Sequence, residues 1–205
     1  MLLIIAALCS CREEEAASPS AAGPRSGIED LAPLAVGNYW VYAVSFIDSS
    51  GAVSGSMGTD SVVVTGQGAV DGLACYFIAT HRSGNPAAET GAWRLSGDTL
   101  IDDRGRVLLS LASEGETAWA ELTDNGTMRV DWCLALEGVA VEVPAGVFSA
   151  RRWLGRKASV AGDPVSPWSD QELNWAEGVG LVQAKEFQQL WPMARVRRLV
   201  AFGVQ

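Results

Sequence analysis

Histidine is nearly absent from this chain: His81 stands alone in 205 residues. A single imidazole excludes multi-histidine metal centres and every His-Glu-x-x-His pattern. A Ser-His-Asp triad would have to use His81, and no Gly-x-Ser-x-Gly elbow is present to supply its serine. Charge is also scarce, at 19% of residues, and basic charge more so, with 15 Lys and Arg against 24 Asp and Glu. The net charge of −9 repels phosphate backbones, so nucleic acid is not an expected partner. Long apolar runs are missing as well. Leu2–Leu8 is far too short to span a bilayer, and no later segment is a long uncharged stretch, so no transmembrane helix is expected.

What remains is apolar and rich in turns. Hydrophobic residues make up 48% of the chain, and 22 glycines punctuate it. Residues 28–205 have the length of one domain with one core. Apolar runs are short and β-like: Asn38–Ile47, Ser61–Thr65, Leu73–His81, Ala92–Leu95, Thr99–Asp102, Val107–Leu111, Ala118–Leu122, Thr127–Leu136, Val139–Val143, Val147–Leu154, Leu173–Ala176, Gly180–Gln189 and Arg195–Phe202. Asp71-Gly72, Ser96-Gly97-Asp98 and Asp124-Asn125-Gly126 mark hairpin turns between them. Ser110–Ala120 has room for one short helix. The expectation is an all-β, single antiparallel domain, either a curled sheet (a half-barrel) or a sandwich, with little helix.

The N-terminus has a different character. Leu2–Leu8 leads into Leu8-Cys9-Ser10-Cys11, which resembles the lipobox of bacterial lipoproteins. The resemblance implies a signal peptide over residues 1–10, cleavage before Cys11, and acyl chains on that cysteine. Cys9 is the rival site, but bulky Leu8 precedes it, whereas small Ser10 precedes Cys11. No Lys or Arg comes before the apolar run, which points to a start codon placed too late. Residues 11–27 read as a disordered tether of Ala, Ser, Pro, Gly and charge that cannot bury enough surface to offset its ordering entropy. Residue 12 is Arg and not Asp, which favours the outer membrane if the source is Gram-negative.

Three segments of the domain also resemble, in this order, a group of uncharacterised bacterial exported lipoproteins: GNYWVY within Leu34–Tyr42, VPAGVF within Val141–Ala150, and AEGVGLV within Trp175–Lys185. That resemblance implies an exported β domain, and carries no catalytic residues with it. Outlines similar to the half-barrels of lipoprotein carriers follow from the same likeness.

Candidate chemistry is sparse. Asp102-Asp103 and Glu114/Glu116 are tight acidic pairs, but neighbours on a strand point to opposite faces, so they read as solvated turns. Cys75 and Cys133 leave two readings open in an oxidising compartment: a disulfide, or two buried free thiols. Arg151, Arg152, Arg156 and Lys157 form a basic cluster that reads as edge-strand protection. Of the eight tryptophans, Trp40, Trp153, Trp168 and Trp175 are candidates for an aromatic ligand groove, with core packing as the plainer reading. No catalytic, metal or cofactor site is expected. The leading functional expectation is a non-enzymatic envelope lipoprotein, held on the membrane by its lipid, whose β domain binds an apolar ligand or a protein partner. A structural or assembly subunit of an envelope complex is the alternative, and a carboxylate-based hydrolase comes third.

Overall fold

A computed structural model describes residues 27–85, 87–123, 126–161, 170–188 and 193–205. The signal peptide, Cys11, nearly all of the tether, and Trp168 lie outside the described residues. Twelve strands follow one short helix: α1 (Ile28–Leu31), β1 (Tyr39–Ile47), β2 (Val53–Val70), β3 (Leu73–His81), β4 (Glu89–Ser96), β5 (Thr99–Asp102), β6 (Val107–Ser110), β7 (Thr117–Thr123), β8 (Met128–Val143), β9 (Gly146–Ser159), β10 (Gln171–Ala176), β11 (Gly180–Gln188) and β12 (Met193–Gly203). The domain is all-β, and every strand pair is antiparallel.

The strands make one sheet in the order β6-β5-β4-β3-β2-β1-β12-β11-β10-β9-β8-β7. All neighbours are consecutive in sequence except β1 and β12. The sheet curls until its edges, β6 and β7, touch without hydrogen-bonding, so the barrel is nearly closed. Of the two expected architectures the curled sheet is realised, and the sandwich is not.

Local chemistry sets the hairpins. Asp71 and Gly72 both adopt positive φ (51° and 76°), the conformation a two-residue hairpin needs between right-twisted strands, and Asp followed by Gly tolerates it best. In β2, Gly66 and Gly68 face the Phe77 ring of β3; a Cβ on Gly68 would come within 2.7 Å of it. The ring thus covers backbone that glycine leaves bare.

The interior divides into two main clusters. The first joins Leu100 of β5, Leu109 of β6, Trp119 of β7, Val130, Trp132 and Leu134 of β8, Trp153 of β9 and Trp175 of β10. Helix α1 closes it with Ile28 and Leu31. The second gathers Trp40, Tyr42, Val62, Val64, Ile78, Val182 and Leu199 around β1, together with Val141 and Val143 from the far half of β8. One hairpin, β8–β9, serves both clusters. Its register shifts between Leu134 and Val139, with Gly138 at φ 68°, and bulges of this kind bend a strand. The hairpin tip then docks on β12, where Ala145 N–H donates to the Leu199 carbonyl at 3.0 Å.

Two expectations are corrected. Residues 110–120 form no helix: β6 ends, a turn follows, and β7 begins. The β9 basic cluster does not lie on an edge, because β9 pairs with β8 on one side and β10 on the other. Three of its four charges are instead matched locally. Arg151 pairs with Glu177 at 3.1 Å, Arg152 with Glu172 at 3.3 Å, and Lys157 sits over the Phe187 ring.

Candidate functional site

Alternation along strands builds the first cluster's aromatic wall. Trp119 and Trp132 lie opposite each other on β7 and β8 and stack at 5.3 Å between ring centroids, 15° from parallel. Trp153 pairs with Leu134 on one side and Leu173 on the other, and its side chain has no exposed surface. Trp175 enters two residues further along β10, on the same face as Leu173.

The polar ends of these rings are unequal. Trp132 Nε1 donates to Glu121 at 2.9 Å, and Trp40 Nε1 donates to the Val179 carbonyl. Trp119, Trp153 and Trp175 have buried Nε1–H groups with no acceptor among the described residues. All three belong to the first cluster. A buried donor left unpaired costs about 1–3 kcal/mol, and indole N–H groups usually find a partner when buried. Three together make this region short of acceptors.

The second cluster carries the charges that sequence reasoning missed. Arg195 and Arg197 stand two apart on β12 and so share a face. Arg195 donates to Glu186 on β11 at 3.1 Å and to Asp60 on β2; Arg197 donates to Glu186 at 2.6 Å. Asp60 also accepts from Ser83 N–H at 3.3 Å. Burial pushes the Glu186 carboxyl up, but the charges of Arg197 and Arg195 and their hydrogen bonds outweigh it and hold its pKa below the ordinary value. Tyr42 lies beneath Arg197, 5.9 Å from ring to guanidinium, and its hydroxyl donates to the Leu181 carbonyl at 3.0 Å. Burial raises that phenol far above its usual range, although Arg197 opposes it. The network holds two positive and two negative groups, each paired with an opposite charge, although the buried Nε of Arg197 has no acceptor among the described residues. The signal for it was the alternating Arg195-Val196-Arg197, legible as one face of a strand but silent about its partners on β2 and β11.

The other sequence candidates are placed as follows. Trp40 belongs to the second cluster, Trp153 and Trp175 to the first; the fold does not bring all of them together. Cys75 and Cys133 are free, on β3 and β8, which are not neighbours in the sheet. Cys133 Sγ approaches the Leu154 carbonyl at 3.6 Å. Asp102 is buried and caps its own turn, accepting from Arg104 and Arg106 N–H and from the Arg106 guanidinium; Asp103 is exposed. His81 ends β3, exposed. Among the described residues no group of three His, Cys, Asp or Glu is arranged to hold a metal, and no helix is long and apolar enough to cross a membrane.

Neither a protein-family model nor a curated protein sequence matches this chain. Solved structures do. A "putative exported protein with YmcC-like fold" from Bacteroides fragilis NCTC 9343 superposes with a TM-score of 0.51 at 8% identity, covering 82% of this chain and 96% of that one. A "putative lipoprotein" from Parabacteroides distasonis ATCC 8503 covers the same shares at 11% identity with a TM-score of 0.35. The likeness to the first is one of fold. It brings no residue roles with it.

Proposed function

We propose that this protein is an envelope lipoprotein, anchored through acyl chains on Cys11, that binds an apolar ligand inside its β domain and performs no catalysis. The anchor rests on the Leu8-Cys9-Ser10-Cys11 pattern. Two or three acyl chains hold a protein on a bilayer almost permanently, at about 0.8 kcal/mol per buried methylene, where one chain does not. An outer-membrane address follows from Arg12 if the source is Gram-negative.

The observation that carries the ligand reading is the set of three buried, acceptor-less indole donors at Trp119, Trp153 and Trp175. Three such donors among apolar side chains would suit a ligand that is apolar along its length and carries carbonyl or carboxylate oxygens, as acylglycerols and acylated glycans do. The absence of catalysis is inferred from where the charged groups go: Asp60, Glu186, Arg195 and Arg197 neutralise one another, and Asp102 closes a turn.

The test is native mass spectrometry of the full chain, purified from membranes in mild detergent, followed by solvent extraction of what it carries. An adduct of lipid or glycolipid mass is expected, and Trp153→Phe should retain less of it. A bare protein mass would overturn the ligand reading and favour the alternative, an assembly subunit of an envelope complex. The anchor has its own check. Cys11→Ala should leave the membrane fraction; a variant that still behaved as an integral protein would remove the anchor from consideration.

A further inference from the structure

The β2–β3 hairpin outgrows the barrel. The last pair that β2 makes with β1 is Val63 with Tyr39, and the last that β3 makes with β4 is Tyr76 with Trp93. Beyond them the rungs Gly68–Cys75, Ala69–Ala74 and Val70–Leu73 pair only with each other. From Gly68 to Val70 these free rungs carry the strand about 7 Å further at the usual β rise, before the turn. Val70, Leu73 and Phe77 are 39%, 51% and 39% exposed. From Thr65 to Phe77 the only charged residue is Asp71, at the turn itself. On a chain of net charge −9 this is an apolar, nearly uncharged segment whose base, Cys75 and Tyr76, packs against the barrel and whose tip, residues 69–74, is exposed.

The same end of the barrel receives the N-terminal segment. Trp40, at the start of β1, donates to Val179 in the β10–β11 turn, and Gly178 N–H of that turn donates to the Asp30 carbonyl of α1 at 2.7 Å. Gly37 N–H, between α1 and β1, donates to the Val64 carbonyl at 2.8 Å, where β2 leaves the barrel. The chain that precedes Gly27 therefore reaches the domain at the end from which the hairpin projects. Fifteen residues lie between Cys11 and Gly27, and the connection spans at most about 55 Å.

We propose that the β2–β3 tip dips Val70 and Leu73 into the headgroup–acyl boundary of the bilayer that holds the anchor. The inference rests on the lipid-anchor reading above. Two half-exposed aliphatic side chains bind a membrane too weakly on their own, but a tether makes the contact intramolecular and raises its effective concentration. The contact would orient the domain with α1 and the start of β1 towards the lipid.

The test places the photo-crosslinking residue benzoylphenylalanine at position 70 or 73 of the full chain, made in a bacterium that acylates it. Position 53 is the control, because Val53 is 63% exposed at the opposite end of β2. After irradiation, membranes are isolated and adducts identified by mass spectrometry. Phospholipid adducts at 70 and 73, with none at 53, are expected. Protein adducts at 73, no adduct, or equal lipid labelling at 53 would overturn the proposal. The fractionation separates its failure from that of the anchor: a chain absent from the membrane pellet removes both, whereas an anchored chain without lipid adducts at the tip removes this inference alone.

Discussion

Glu186 is the residue on which the buried charges depend. It receives both Arg195 and Arg197, so Glu186→Gln would leave two guanidinium groups short of a counter-charge. Glu186 and Arg197 keep 29% and 22% of their side-chain surface exposed, so the expected loss is about 2–3 kcal/mol at pH 7, below the roughly 3–5 kcal/mol of a fully buried pair. Because the folded carboxyl titrates below its unfolded value of about 4.3, the stabilisation is complete above that pH and lost as pH falls through the folded pKa. Urea midpoints of the two proteins should thus differ at pH 7 and converge in acid. Gly155 makes a steric prediction. A Cβ there would stand 2.9 Å from both the Trp132 ring and Val130 Cγ1, so Gly155→Ala should cost about 1–3 kcal/mol by overpacking, read from the same denaturation curves. Neither effect could be read from the sequence. Glu186 and Arg195 are nine positions apart and meet as a cross-strand pair on β11 and β12, whereas Asp60, 135 positions from Arg195, comes within reach only because β12 pairs with β1 beside β2.

At the scale of elements, period and turn chemistry were legible wherever a strand is apolar. Leu73–His81 and Thr99–Asp102 were read with their observed limits, and β1 within one residue. The failures share a cause. β2 runs from Val53, but its first half contains Ser54, Gly55, Ser56 and Gly58, a composition that signals loop; pairing with β1 overrides it. β8 was read as two strands because Glu137-Gly138 interrupts it, whereas the structure absorbs those residues in bulges. Helix α1, four residues long, is too short to show a period at all. It is nonetheless structural. Leu31 has no exposed surface and seals the first cluster, so Leu31→Ala should destabilise the fold by about 2–4 kcal/mol. Hydrogen exchange should then quicken at the β10–β11 turn that α1 holds through Gly178. The tryptophans show the same boundary: that they are core was readable, and which three lack acceptors was not.

The whole molecule is a sheet in which every strand lies beside its sequence neighbour, save at one seam in the middle where β1 meets β12. Each half, β1–β6 and β7–β12, is a run of local hairpins. Their union awaits the last strand of the chain, across about 160 residues of separation at a pair such as Tyr39 and Gly203. The twelve strands are thus an uninterrupted up-and-down meander whose covalent break falls at its centre. A circular permutant that joins Gln205 to Gly27 through a glycine-serine linker and opens between β6 and β7 would place every contact between neighbours in order. By the dependence of rate on contact order it should refold faster than the natural arrangement, in stopped-flow tryptophan fluorescence, while reaching the same sheet. A chain that emerges from a membrane pore N-terminus first would meet the same constraint: its two halves could pair locally on arrival, but the barrel could not close before β12 had crossed.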